Sequence, residues 1–186
     1  HIKTSRTISD SRDHLFVWDV QLASPATQLL SKRAKFLQNL QSHLNDYYQQ
    51  ISQRNVDFTI HYEPSGTDDN DKFLAELTAA HDRDMGAGFT TIGPHRDEFY
   101  ITQGGTNVTT TVSRGEMRTL ILALKLAEMD VIEDSITQRP LLLLDDVFSE
   151  LDATRREFLM RSIQKQQTFI TTTDLDIHPE VAQMID

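Results

Sequence analysis

Four aliphatic residues in a row, Leu141-Leu142-Leu143-Leu144, run straight into two carboxylates, Asp145-Asp146. Pro140 opens the run. A short, unbroken apolar stretch of this kind suits a strand of a parallel sheet covered on both faces. A helical pattern with Phe158, Leu159 and Ile163 follows, and then a second β-rich run, Thr168-Phe169-Ile170-Thr171. Strand, helix, strand is the cadence of a parallel α/β sheet. In such sheets ligands sit beyond the carboxyl ends of the strands. Two neighbouring acids at that end repel each other unless a cation or a proton uses them. Magnesium prefers one or two carboxylates, several waters and substrate phosphates. Asp145 is therefore expected to hold Mg²⁺, directly or through water, and Asp146 to orient or deprotonate an attacking water. The plain alternative is that one Asp only caps the next element.

Two further groups flank this strand. Ser113-Arg114-Gly115-Glu116 heads a helix predicted over Glu116 to Glu133, whose Leu120, Ile121, Ala123, Leu124, Leu126, Ala127 and Val131 make it apolar nearly all round and so deeply buried. Ser-x-x-Glu is a capping box, in which the serine hydroxyl accepts a first-turn N–H and the glutamate reaches back. The same helix N-terminus, with a serine, a glycine and the charge of Arg114, is also a ready phosphate site. Phe148-Ser149-Glu150-Leu151-Asp152 follows the acid pair directly and reads equally well as a helix cap.

The first third has a different texture. Leu15, Trp18 and Leu22 share one helical face. Ser24-Pro25 reads as N-cap and first-turn proline of a second helix reaching about Gln53. Its Leu30, Ala34, Leu37, Leu44, Tyr48 and Ile51 keep heptad spacing, broken at Gln41 and widened by Leu40 and Tyr47. That helix would be roughly 40 Å long: a member of a bundle, or a limb that packs on a partner helix. Val56, Phe58, Ile60 and Tyr62 alternate as a strand, which Pro64-Ser65-Gly66 ends. Asp68 to Asp71 cap a short helix with Phe73, Leu74 and Leu77. Met85-Gly86-Ala87-Gly88 reads as a flexible joint, and a domain boundary is expected near it: residues 1–88 a helical arm with one strand, residues 89–186 an α/β lobe. Phe99–Thr102 and Val108–Val112 flank Gly104-Gly105 as a hairpin.

Composition excludes several classes. The 186 residues carry 18 Lys+Arg against 28 Asp+Glu, a net charge of −10, which makes the chain a poor generic polyanion binder. The excess is uneven. Residues 1–64 carry 7 basic and 6 acidic side chains, and residues 113–186 carry 8 and 14. A nucleic-acid surface, if present, belongs to the first third. With no Cys there is no disulfide scaffold, thiolate zinc site or thiol nucleophile. No apolar run approaches the roughly 18 residues a membrane span needs, so a cytoplasmic protein without membrane contact is expected. His95-Arg96-Asp97 is not a kinase catalytic loop, because Thr102 stands where that loop needs Asn. His95 itself suits a structural hydrogen bond better than catalysis, and no His shows metal-ligand spacing.

Taken together and in this order, Ser-x-Gly-Glu-x-Arg on a buried helix, four aliphatics ending in two acids, and Ser149-x-Leu151-Asp152 resemble the second half of an ABC-type ATPase core: its signature motif, Walker B strand and D-loop. Gly93-Pro94-His95-Arg96-Asp97 and Leu122-Ala123-Leu124-Lys125-Leu126-Ala127-Glu128 narrow the resemblance to the RecF family of bacterial recombination-repair ATPases, most clearly over residues 85–174. The resemblance implies an α/β fold, the C-terminal lobe of an ATPase head preceded by a helical arm. It implies Asp145 on Mg²⁺, Asp146 activating water, and Ser113, Arg114, Gly115, Glu116, Ser149 and Asp152 at the nucleotide. Two positions depart from the wider ATPase pattern: Asp146 where Glu is usual, and Thr173 where a sensor His is usual. None of the seven glycines is followed by Lys, so the phosphate-cradling Gly-x-x-x-x-Gly-Lys motif is missing. The resemblance places that motif N-terminal to the arm. This chain is thus expected to be a C-terminal half, inactive alone and a weak ATPase within a full-length dimer. The implied partners are ATP with Mg²⁺, a second copy joined by ATP, duplex DNA near single-strand gaps, and RecR and RecO. The rival expectations are a fragment of another SMC-like or transporter-type ABC ATPase, a Mg²⁺-dependent phosphohydrolase using Asp145, Asp146 and a His, and a helical dimerisation module.

Overall fold

The structure is a computed structural model that describes residues 8–164 and 166–172; the side chains of residues 8–13, 149 and 150 are outside the description. In chain order the elements are α1 (Ile8–Ser52), β1 (Phe58–Glu63), α2 (Asn70–Ala87), a 3₁₀ turn (Pro94–Arg96), β2 (Glu98–Gln103), β3 (Thr106–Asn107), α3 (Val108–Thr111), α4 (Arg114–Ile136), β4 (Leu142–Asp145), a second 3₁₀ turn (Val147–Glu150), α5 (Ala153–Ser162) and β5 (Thr168–Thr171). The sheets are β1-β2-β3 and β4-β5. The chain divides into two compact units, one of residues up to Asn39 with Thr59–Thr102, the other of Leu40–Phe58 with Gln103 onward.

In the first unit α1 differs from its expected form. It is one helix of 45 residues with Pro25 inside it. Ser24-Pro25 starts nothing. The residues either side of the proline are held by burial instead: Ala23, Ala26 and Leu30 pack with Phe73 and Leu77 of α2, with Leu74 and Ile92 against them. The buried face is therefore Asp19, Ala23, Ala26 and Leu30, while Trp18 and Leu22 are exposed. Asp19 meets the buried His81 of α2 at 2.5 Å. α2 is longer than expected, because Met85-Gly86-Ala87 is its last turn and Gly88 its left-handed C-cap at φ 81°, a conformation that favours glycine. Asp69 caps the other end through Asp71 and Lys72 N–H.

Asp97 gathers this unit's loops. Its Oδ2 accepts from Arg33 at 2.6 Å and from the Tyr62 hydroxyl at 2.6 Å, and its Oδ1 accepts from Ser65 N–H at 2.9 Å. Burial pushes the Asp97 carboxyl up, yet Tyr62, Ser65 and Arg33 outweigh it and hold the group below its usual range. The conspicuous Gly93–Asp97 stretch is thus, in its last residue, a structural knot. His95 donates to the Thr90 carbonyl at 2.8 Å, within the same loop.

In the second unit the expected long hairpin is cut short. β3 has two residues, and Val108–Thr111 is helical. Asn107 explains the switch: its side chain accepts from Thr109 N–H at 3.0 Å and caps α3, offering the backbone a helical partner in place of a ladder. α4 buries Thr119, Leu120, Leu122, Ala123, Leu126, Ala127 and Val131, but Ile121 is 51% exposed, so the helix has an open face. The end of α1 belongs to this unit. Tyr48 meets Phe58 edge to face at 4.6 Å, Asn45 brackets the backbone N–H and C=O of Phe58, and the Tyr47 hydroxyl donates to Asp130 of α4 at 2.7 Å.

β4 and β5 pair in parallel, with Leu142 opposite Thr168, Leu143 opposite Phe169, Leu144 opposite Ile170 and Asp145 opposite Thr171. The strand-helix-strand reading holds. The expectation of cover on both faces does not hold among the described residues. Leu143 is 71% and Phe169 55% exposed, while Leu142 and Leu144 are half-buried. Successive side chains alternate between faces, and one face of the pair lies open.

Candidate functional site

All the expected site residues lie in the second unit, at the ends of β4 and α4 and at the start of α5. Asp145 is the last residue of β4, at its carboxyl end, with an exposed side chain. The Thr171 hydroxyl donates to Asp145 Oδ1 at 2.5 Å. The other carboxylate oxygen has no partner among the described residues. Asp146 follows in the left-handed region at φ 47° and makes no side-chain cap to the 3₁₀ turn after it. Its N–H donates to Thr171, to the carbonyl at 3.0 Å and to the hydroxyl at 3.1 Å. A non-glycine residue in this region is uncommon and strained, and such residues cluster at functional sites.

Ser113 caps α4 as the spacing predicts. Its Oγ accepts from Glu116 N–H at 3.3 Å, and Glu116 Oε2 accepts from Ser113 N–H at 2.9 Å. Arg54 takes the other Glu116 oxygen at 3.1 Å. The Ser113 hydrogen bonds, with Arg54 beside them, hold the Glu116 carboxyl below its usual range. Both oxygens of Glu116 are thereby committed, so Glu116 orders the turn. Ser113 and Arg114 are exposed, and Arg114 makes no ion pair among the described residues. Gly115 has no steric need to be glycine here: a Cβ built on it meets nothing within 4 Å.

Arg155 is the residue that sequence reasoning missed. Its Nε donates to Thr119 Oγ1 at 2.7 Å and a terminal nitrogen to the Gly115 carbonyl at 3.4 Å, while the other pairs with Asp152. Asp152 in turn caps α5 by accepting from Arg155 N–H at 2.9 Å. One guanidinium thus ties the first turn of α4 to the start of α5. Nothing in the linear pattern marks it, since an arginine three residues after a helix cap is ordinary. Ser149 falls in the second 3₁₀ turn, but its side chain lies outside the described residues, as does Thr173.

Metal chemistry here rests on few ligands. Among the described residues no group of three or more His, Asp or Glu is placed to hold a metal. A single strand-end carboxylate, one oxygen of which has no partner among the described residues, fits Mg²⁺, which binds through one or two carboxylates and completes its shell with water and phosphate oxygens.

No protein-family model matches the chain. Curated relatives do. It is 39% identical over 167 residues to the DNA replication and repair protein RecF of Agathobacter rectalis, covering 90% of this chain and 46% of the relative. It is 41% identical over 175 residues to RecF of a Cyanothece species, covering 89% and 46%. Over these residues the chain belongs to the RecF family. It spans about half the length of the curated relatives it matches. A solved RecF-ATPrS structure, described as a recombination mediator protein in the RecFOR pathway, superposes with a TM-score of 0.77 at 30% identity, covering 89% of this chain and 47% of that one. A RecF-ATP structure gives 0.75 at 30%. The α/β lobe of an ABC-type ATPase expected from the motifs is the fold these neighbours share. RecF relatives carry the fold in place of a transporter-type or purely helical module.

Proposed function

We propose that this chain supplies the signature helix, Walker B acid and D-loop turn of a RecF-type, ATP-dependent DNA-binding protein of recombinational repair. The observation that carries the reading is the single compact unit holding the Ser113–Glu116 cap, the Asp145 strand end and the Asp152 turn, on a backbone similar to nucleotide-bound RecF. Asp145, exposed at its strand end, would hold Mg²⁺ through the oxygen that has no partner among the described residues. When bound, the ion would neutralise phosphate charge as it builds on the leaving and transferred oxygens. Asp146, in its strained backbone position, would orient the attacking water.

At the head of α4 the Ser113 hydroxyl, the Arg114 and Gly115 N–H groups and the Arg114 side chain would face the phosphates of a nucleotide held by a second copy. The bare Gly115 lets a phosphate approach the backbone closely. A phosphate neutralised by two copies at once stabilises only the joined state, so ATP would close a homodimer and its hydrolysis release it. Glu116, Asp152 and Arg155 keep these turns in place, and Ser149 belongs to the same turn. This chain carries no Gly-Lys pair for a phosphate cradle, so by itself it is expected to be inactive. The cradle would come from the remainder of a full-length protein in which this chain is the C-terminal part, divided at about residue 88 into arm and ATPase lobe. DNA, with RecR and RecO, are the proposed partners, and the cytoplasm the proposed location. No helix among the described residues is long and apolar enough to cross a membrane.

The test uses the full-length gene product. Asp145→Ala weakens Mg²⁺-ATP use. Asp146→Asn slows hydrolysis by about 10²-fold or more while sparing ATP binding. Ser113→Arg abolishes ATP-dependent dimerisation seen by light scattering. Wild-type turnover and dimerisation in all three variants would dismiss the reading.

A further inference from the structure

We propose that Thr171 is a positioning residue for Asp145, fixing the carboxylate so that one oxygen faces the metal. The inference rests on the reading of Asp145 as the Mg²⁺ ligand. Thr171 stands directly opposite Asp145 in the parallel register of β4 and β5. Its hydroxyl has a defined direction on both sides. It accepts the Asp146 N–H at 3.1 Å and so turns its own hydrogen to Asp145 Oδ1, at 2.5 Å.

A hydrogen bond to a carboxylate is about twice as strong as a neutral one. Asp145 is otherwise exposed at a strand end, where its side chain would sample several rotamers. The β-branched Thr171 is stiff at χ1, which makes it a better guide than a longer polar side chain. The hydrogen bond engages Oδ1, and Oδ2 has no partner among the described residues. Partners that orient a ligating carboxylate are worth about 10–100-fold in metal affinity. The hydroxyl also ties Asp146 to Asp145 through one atom, so both acids share a single support from the neighbouring strand.

The experiment measures Mn²⁺ affinity by electron paramagnetic resonance in the full-length gene product with ATPγS, and nucleotide affinity separately in EDTA. Thr171→Val keeps the shape and removes the hydroxyl; Thr171→Ser keeps the hydroxyl. The expected result is a loss of about tenfold or more in Mn²⁺ affinity for Thr171→Val, recovery in Thr171→Ser, and unchanged metal-free nucleotide affinity and melting temperature in both. Wild-type Mn²⁺ affinity in Thr171→Val, or an equal loss in Thr171→Ser, overturns the role of the hydroxyl. Asp145→Ala separates the two levels: if it loses Mn²⁺ while Thr171→Val does not, this inference alone fails. If Asp145→Ala binds Mn²⁺ normally, the metal-ligand reading falls and this inference with it.

Discussion

Asp97 ends the most distinctive stretch of the chain, and its side chain, 4% exposed, gathers Arg33, Tyr62 and Ser65. Its carboxyl is held below the usual range in the folded chain, so the stability it contributes is present above the unfolded value, about 3.9, and is lost as pH falls through the folded value. Tyr62 shows the opposite sign: burial and its hydrogen bond to Asp97 push its hydroxyl up to about 12, so its contribution is lost as pH rises from the ordinary tyrosine value through that point. Asp97→Asn is expected to cost about 2 kcal/mol at pH 7 and to flatten the acid side of the profile. Melting curves from pH 7 to pH 3 check this; an equally steep acid loss in the variant would place the proton-linked stability elsewhere. Only part of this was legible beforehand. The residues of Gly93–Asp97 stand out in the linear string, but Arg33 lies 64 positions away, and no local pattern pairs it with Asp97.

At the scale of elements, α1 is the instructive case. A proline after a serine is a good helix start by local rules, yet Pro25 sits inside α1. It removes one intrahelical donor and crowds the carbonyl four residues back. Burial of Ala23, Ala26 and Leu30 against α2 outweighs that penalty. Because Pro25 is exposed, Pro25→Ala loses little packing and restores the N–H. The variant should unfold at higher denaturant, by about 2 kcal/mol after allowance for its freer unfolded chain. A lower stability would mean that the proline is matched to a bend the packing requires. β3 and α3 teach the converse. Four β-branched residues, Val108–Thr111, favour a strand by propensity, and the Asn107 cap turns them into a helix.

At the scale of the molecule, the open face of β4-β5 stands out. Leu141, Leu143 and Phe169 are each more than half exposed, an apolar surface on a sheet whose other face is covered. Surface replacements remote from buried contacts change stability by about 0.5 kcal/mol or less. Leu143→Thr with Phe169→Thr should therefore leave the melting temperature of the 186-residue chain nearly unchanged. A marked fall in melting temperature would show that this face is packed within the chain.

The sequence by itself determined the elements whose signals are local: the capping box at Ser113, the aliphatic strand ending in Asp145, the strand-helix-strand order and the acidic cap of α2. Each depends on residues a few positions apart, so hydrogen bonding and side-chain periodicity decide it without help. Only the tertiary structure decided that α1 continues through Pro25, that β4-β5 is covered on one face, that Arg155 joins two turns, and that Thr171 stands against Asp145. Those outcomes depend on which distant surfaces meet, and the free energy of burial and of cross-strand hydrogen bonds has no counterpart in the spacing of residues along the chain.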